Sequence, residues 1–510
     1  MLFNSYPFLL LFLPVALAGF FGLARLDRRA AASWLTAASL FFYGWWNPSF
    51  VVLLAVSIGF NYLMGLAIAR ASGDRARGTL MAAGVGANLA VLAYYKYAGF
   101  LLSQVLRLPG AAEAGAGLVL PLGISFFTFT QIAFLVDVRR GLAREYSPIH
   151  YALFVTYFPH LIAGPVLHHK EMMPQFARDQ TYRPEPENFS VGLTMLALGL
   201  FKKVILADGC AAAAAAVFDT TSPATRTFFA AWTGALSYAL QIYFDFSGYS
   251  DMAAGLSKLF GVVLPLNFDS PYKAGNIVEF WRRWHMSLSR FLRDYLYIPL
   301  GGNRRGPLRR QLNLAMTMLL GGLWHGASWN FVAWGGLHGL YLMINHAWRG
   351  LRGDSAGPWP AAERFAGRLL TFAAVVAAWV FFRAKDFATA GGILAGMAGS
   401  NGAVLPETWT ARFPAAAARA ASLGVSFGDA GGFGGAVAVH LVVLLAIVWG
   451  LPNVAQLMTG RRPVLDEPKP SFFAPSWRPS PAWLIAAAAL GAAAFVMISG
   501  GASEFLYYQF

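Results

Sequence analysis

The feature that most constrains this chain is a series of long apolar runs from which charge is absent. Residues 6–23, 50–69 and 483–498 each continue for 16 to 20 residues without a charged side chain, the length a helix needs to cross the hydrocarbon of a bilayer. A spanning β-barrel would show short segments of alternating polarity. A bilayer otherwise accepts only helices, because every backbone N–H and C=O must be satisfied internally. With 57% hydrophobic residues, 12% charged residues and a mean hydropathy of +0.52, a soluble globular class is excluded. The expected fold is all-α, a polytopic transmembrane helical bundle.

Apolar runs near 6–24, 31–47, 50–69, 79–98, 118–137, 150–167, 190–207, 227–248, 311–324, 329–347, 367–383, 436–452 and 482–499 predict about eleven full crossings, since runs under about 17 residues need not span. The shorter ones are expected to be re-entrant or tilted. One integral membrane domain is expected over 1–510, with a loop and short surface helices over 386–435 and a Pro-rich connector over 460–481.

The net charge of +15 does not point to nucleic acid, because Lys and Arg cluster in short stretches between the apolar runs. Arg25, Arg28 and Arg29 follow the first run and Arg70, Arg75 and Arg77 the third, as the positive-inside rule predicts for cytoplasmic loops. The N-terminus is then expected outside. No Lys or Arg precedes the first run, so it is expected to be a retained helix and not a cleaved leader. Cys210 is the single cysteine, which excludes an intrachain disulfide or a Cys cluster for zinc.

Residues 276–300 differ in kind. Arg282, Arg283, Arg290 and Arg293 lie among Phe280, Trp281, Trp284, Leu288, Phe291 and Tyr295 at helical spacing, which predicts an amphipathic helix at the cytoplasmic interface. Pro299 and Gly301-Gly302 end it.

An ionisable group at membrane depth is a functional candidate by default, and two of the nine histidines stand out. His325 lies at the joint between two apolar runs, in Gly321-Gly322-Leu323-Trp324-His325-Gly326-Ala327-Ser328-Trp329, where glycines permit close backbone approach. His285 lies in the arginine-rich segment. His338 follows His325 by 13 residues and is a candidate for the same bundle. His160, His168 and His169 match no zinc spacing, and a polar loop explains them. Asp245 and Asp251, among Tyr243, Ser247, Tyr249 and Ser250, suit either orientation of a histidine and acceptor binding or a helix-pairing site.

Several long motifs resemble one known family. Trp281-Arg282-Arg283-Trp284-His285-Met286-Ser287-Leu288-Ser289, continuing to Arg293-Asp294-Tyr295-Leu296-Tyr297-Ile298-Pro299-Leu300-Gly301-Gly302, is similar to the signature of the membrane-bound O-acyltransferases, and most similar to the alginate O-acetyltransferase membrane subunits. Tyr243-Phe244-Asp245-Phe246-Ser247-Gly248-Tyr249-Ser250-Asp251, Phe158-Pro159-His160-Leu161-Ile162-Ala163-Gly164-Pro165, Leu120-Pro121-Leu122-Gly123-Ile124-Ser125-Phe126 and the closing residues 503–510 extend the resemblance over nearly the whole chain.

The resemblance implies that His325, in Trp324-His325-Gly326, is catalytic and that His285 is its partner. Transfer of an acyl group from a thioester to an alcohol requires removal of the hydroxyl proton, and an imidazole titrates near the working pH. His285 would orient a reactant, assist proton transfer or stabilise the thioester oxyanion. Trp324 and Ser328 beside His325, with Asp245 and Asp251, are candidate substrate contacts. The arginines from Arg282 to Arg310 read either as topology determinants or as partners for the phosphates of a coenzyme A donor, with Arg304 and Arg305 singled out beside Gly301-Gly302 and Gly306.

The function expected is transfer of acetyl groups from acetyl-coenzyme A, with no tightly bound cofactor and no metal, toward hydroxyls of an exported polysaccharide at a bacterial inner membrane. Alginate is the first acceptor expected, and a periplasmic acetyltransferase is an implied partner. The rival class is a transporter whose polar residues line a path, although no paired inverted halves are visible. Gly424-Val425-Ser426-Phe427-Gly428 fits a nucleophile elbow, but its strand-turn-helix setting is missing. Gly353-Asp354-Ser355 resembles a hydrolase block without the soluble domain that block requires.

Overall fold

The apolar runs form helices whose ends are set by short polar caps and turns. The computed structural model describes residues 1–108, 119–143, 147–220, 222, 225–352, 361–471, 475–498 and 505–506. The Gly353-Asp354-Ser355 block lies outside the described residues, as does the closing motif apart from Phe505 and Leu506. Between α1 (Pro7–Ala24) and α2 (Arg28–Gly44), the Asp27 carboxylate accepts from the Ala30 N–H and caps α2. Next come α3 (Ser49–Arg70), α4 (Asp74–Val105), α5 (Ile124–Arg139), α6 (Pro148–Thr156), α7 (His169–Phe176), α8 (Pro186–Phe218) and α9 (Phe228–Leu259).

Five of the described helices, α1, α3, α4, α8 and Ala361–Arg383, are long and apolar enough to cross a membrane, and Phe387–Met397, Gly435–Gly450 and Pro481–Met497 are shorter apolar helices. The 32-residue α9 is buried along most of its length, so it tolerates polar residues that a lipid-facing helix would not. It lies so close to α8 that a Cβ on Gly199 would come within 2.7 Å of the Gly248 carbonyl oxygen, the small-residue contact expected of membrane helices. Within α8 the segment Lys202–Ala207 is wound as a π-helix, which displaces side chains from regular helical register. Lys203 Nζ lies 2.7 Å from Asp245 and 2.9 Å from Asp208, and Lys202 Nζ lies 2.7 Å from Asp251. Charges this deep persist because they are paired.

Helix direction gives the bundle two distinct ends. Arg139, at the close of α5, bonds Asp74 at the start of α4, and Arg140 reaches the Asp294 carbonyl. This basic end also carries Arg75 and Arg77. The opposite, far end holds the turns at 45–48 and 119–123.

The segment 276–300 is not one amphipathic helix. It divides into α10 (Ile277–Trp281), α11 (Met286–Leu292) and a π-helical turn, Arg293–Tyr297. His285 stands at the break with φ +42°, a left-handed conformation that interrupts helical winding. Beyond it run α12 (Gly306–His325), α13 (Trp329–Arg352), α14 (Ala361–Arg383), α15 (Phe387–Met397), α16 (Gly435–Gly450) and α17 (Pro481–Met497).

The stretch 386–435 holds more structure than a loop with surface helices. Ala390, Ile393 and Met397 of α15 are buried, and Trp232 of α9 donates to the Met397 carbonyl. After α15, β1 (Ala403–Pro406) pairs in parallel with β2 (Val425–Gly428), Ala403 opposite Val425. Helices Thr408–Arg412 and Pro414–Ser422 make the crossover that a parallel pair requires. Ser426 sits inside β2 with its Oγ 3.3 Å from the Ala403 carbonyl, so it occupies no elbow.

Asp245→Asn removes the fully buried carboxylate of the two that pair with Lys203. The expected cost is about 3 kcal/mol, read as a lower melting temperature in detergent. Arg28→Ala breaks the exposed pair with Asp179 and is expected to cost less than about 1 kcal/mol.

Candidate functional site

Two breaks in helical winding bring the candidate histidines together. The first is the turn before α11. The Asn267 side-chain oxygen accepts from His285 Nδ1 at 3.1 Å and from Ser287 Oγ at 2.9 Å, while the Asn267 amide nitrogen donates to Ser250 Oγ on α9 at 3.1 Å. Ser287 Oγ in turn accepts from the Val166 N–H. With Asn267 oxygen facing the ring, Nδ1 carries the proton and Nε2 is the basic nitrogen. A left-handed non-glycine residue costs of order 1–2 kcal/mol, and such residues persist where surroundings over-determine them. Here the surroundings are a fully buried polar network.

The second break is the joint between α12 and α13. These helices approach so closely that a Cβ on Gly335 would lie 2.3 Å from the Met318 carbonyl oxygen, and one on Gly322 would lie 2.2 Å from that of Phe331. The contact lets Trp324 and His325 end α12 inside the bundle. The last carbonyls of α12 have no helical partner, and α4 supplies one for each of three: Tyr97 OH donates to the Leu323 carbonyl at 3.0 Å, and Lys96 Nζ to those of Trp324 at 2.6 Å and His325 at 3.1 Å.

The histidines alternate with tryptophans in one row. The Trp324 ring lies 6.1 Å from His285 and 4.9 Å from His325, and the Trp334 ring lies 5.0 Å from His325 and 4.8 Å from His338. Phe246 and Phe382 close the sides against His285 and His325. Trp281 Nε1 donates to His338 Nδ1 at 3.3 Å, which puts the His338 proton on Nε2. That N–H, with those of Trp324 and Trp334, is buried without an acceptor among the described residues.

Two cavities lie near this row: the first touches it at Trp324 and His325, and the second is lined by none of its members. One, of about 110 Å³, is lined by Trp46, Lys96, Ser125, Phe126, Trp324 and His325 with the 120–124 turn, and so faces the far end. The other, of about 400 Å³, is lined by Trp281, Arg282, Met286, Arg290, Arg293 and His346 with apolar residues of α12 and α13, and faces the basic end. From Thr317, at the second cavity, to His325, at the first, α12 rises about 12 Å.

Of the sequence-derived candidates, His285, His325 and Trp324 converge, and His338 joins them. Ser328 is half-buried in the joint. Arg304 and Arg305 are exposed before α12 and do not line the basic cavity. Asp245 and Asp251 line neither cavity and are held by Lys203 and Lys202. His160 Nε2 bonds the Phe154 carbonyl and His168 bonds Tyr295. Among the described residues no three His, Cys, Asp or Glu side chains are grouped to hold a metal. Sequence reasoning passed over Lys96 and Asn267. A lone lysine inside the 79–98 apolar run was a signal that could have found the first, whereas Asn267 carried none.

Comparison with known proteins bears on what such a site does. The profile of the membrane-bound O-acyltransferase family matches residues 89–382. A peptidoglycan O-acetyltransferase of Helicobacter pylori is 42% identical, over 79% of this chain and 81% of its own. The probable alginate O-acetylase AlgI of Pseudomonas aeruginosa is 44% identical, over 76% of this chain and 73% of its own. A teichoic acid D-alanyltransferase of Bacillus subtilis is 26% identical, over 43% and 58%.

The contact between α12 and α13 has a direct test. Gly335→Ala places a methyl group against the Met318 carbonyl and is expected to lower stability by about 2 kcal/mol. Gly336→Ala, whose Cβ would meet only Leu319 Cδ2 at 3.5 Å, is expected to melt within a degree or so of the parent, about the effect of a neutral change.

Proposed function

Because this chain belongs to the membrane-bound O-acyltransferase family and is an O-acyltransferase, we propose that it passes an acetyl group from a thioester donor at its basic end to a hydroxyl presented at its far end, with His325 as general base. The observation that carries this reading is His325, held in a row of histidines and tryptophans, at the lining of the far-end cavity, with an arginine-lined cavity toward the basic end of the same helix α12. Arg282, Arg290 and Arg293 suit the phosphates of a donor such as acetyl-coenzyme A, and the apolar wall of the same cavity suits its acyl arm. The smaller cavity, with His325 at its lining, suits a sugar hydroxyl.

In the step itself the acceptor O–H gives its proton to the His325 imidazole as its oxygen attacks the thioester carbonyl carbon. The tetrahedral intermediate then expels the thiolate, which takes the proton back from the imidazolium. General-base help of this kind contributes about 10²–10⁴-fold. The buried N–H groups of Trp324, Trp334 and His338 are donors of the type that stabilises an oxyanion, and His285, oriented by Asn267, stands where it can assist proton transfer.

The concentration of arginine at the basic end supports its placement in the cytoplasm of a bacterial inner membrane, with the N-terminus outside. A donor made in the cytoplasm and a polymer outside it then meet at His325 without either crossing. The relatives' names support an envelope polysaccharide as acceptor. Alginate, acetylated cellulose or another exopolysaccharide fits, and the Helicobacter relative adds peptidoglycan. Transfer is direct or passes through a periplasmic acetyltransferase partner. D-alanyl transfer to teichoic acid has weaker support, since that relative matches less than half of the chain.

The test is release of free coenzyme A from acetyl-coenzyme A by protein in nanodiscs with periplasmic extract added, wild type beside His325→Ala. The expected result is release by wild type and a loss of at least about 10²-fold in the variant, with equal melting temperatures. Retained release would remove His325 from the mechanism. Silence from both, without donor binding, would favour a transporter.

A further inference from the structure

We propose that Lys96 is a positioning residue for the acyl transfer: its ammonium holds the end of α12 so that His325 faces the far-end cavity, and it binds no substrate itself. This inference rests on His325 being the base. Lys96 lies in a π-helical turn of α4, Ala93–Tyr97. The wide turn lets two consecutive residues, Lys96 and Tyr97, reach the same helix end. An ammonium has three N–H donors, and three acceptors surround this one: the carbonyls of Trp324 and His325 at 2.6 and 3.1 Å, and Ser125 Oγ at 3.3 Å. A lysine so engaged has no hydrogen left for an acceptor sugar or a thioester, although it lines the cavity where the sugar would sit.

Three forces act together at this point. The ammonium meets the negative end of the α12 dipole, it satisfies two carbonyls that would otherwise be orphaned in a nonpolar setting, and it stands 5.9 Å from the centroid of the Trp324 ring. It therefore grips both residues of the Trp324-His325 pair by their backbone and the first also by its ring. Ser125 ties the same ammonium to the start of α5, so α4, α5 and α12 share one charged node. Tyr97 caps the Leu323 carbonyl, one residue further from the imidazole. It serves as an internal control, because general loosening of the helix end would make Tyr97 and Lys96 equally important.

The experiment measures turnover and donor KM by coenzyme A release in nanodiscs for Lys96→Met, Tyr97→Phe and His325→Ala. A small displacement of a catalytic group costs on the order of 10²-fold. Lys96→Met is expected to lose about that much kcat with donor KM nearly unchanged, and Tyr97→Phe to lose less than about tenfold. In Lys96→Ala, methylammonium is expected to restore part of the turnover and methanol none. Wild-type kcat in Lys96→Met, equal losses in Lys96→Met and Tyr97→Phe, a rise in donor KM that accounts for the loss, or the same response to methylammonium and methanol would each overturn the proposal. Full activity of His325→Ala would overturn the base assignment and this inference with it. An inactive His325→Ala beside a fully active Lys96→Met would overturn this inference alone.

Discussion

A polar group at membrane depth has to be met by another part of the chain, and where those meetings occur decides how this bundle is built. Asn61 and Asn88 exchange reciprocal side-chain bonds of 3.1 and 2.7 Å between α3 and α4. Tyr157 and Ser257 meet at 2.9 Å between the 157–167 segment and α9. Lys203 and Asp245 join α8 to α9. Each pair is a fixed point between surfaces that are otherwise apolar and offer little register of their own. The aromatic packing around α9 fills the space those points define.

The site follows the same rule at its two breaks. A helix that ends inside the bundle exposes carbonyls, and a residue forced to positive φ needs a reason to stay there. Lysine and tyrosine from α4 answer the first need, and asparagine from the 262–270 segment answers the second. The consequence is a pair of imidazoles on different elements, separated by the width of one indole. Each is held by contacts within the protein, so their arrangement is set before any ligand binds. His325 lines a small, mostly apolar cavity at the far end, while an arginine-lined cavity opens toward the basic end.

Much of this was legible beforehand, for identifiable reasons. His325 stood out because a histidine between glycines at a helix joint has few explanations, and His285 because it sits in a long specific motif. The glycines before His325 marked a place of close backbone approach, and the structure supplies the partner, Gly335 of α13. Other readings were less secure. Asp245 and Asp251 were open between orienting a histidine or binding the acceptor and pairing helices, and their partners are lysines of α8, about 40–50 residues earlier in the chain, to which no local pattern links them. The arginine-rich segment carried the periodicity of one helix, and periodicity has no term for a single left-handed residue stabilised from elsewhere.

By itself the sequence determined the class of solvent and the helical character and marked the candidate histidines, because hydropathy, charge placement and motif are properties of contiguous residues. The family was legible for the same reason. What only the tertiary structure decided is which distant groups share a space. Lys96 meets the carbonyl of His325 across 229 positions of chain, His285 takes its tautomer from Asn267, and His338 receives its hydrogen bond from Trp281 across 57. A buried polar group is satisfied by whatever the fold brings within about 3 Å, and that distance has no counterpart along the sequence.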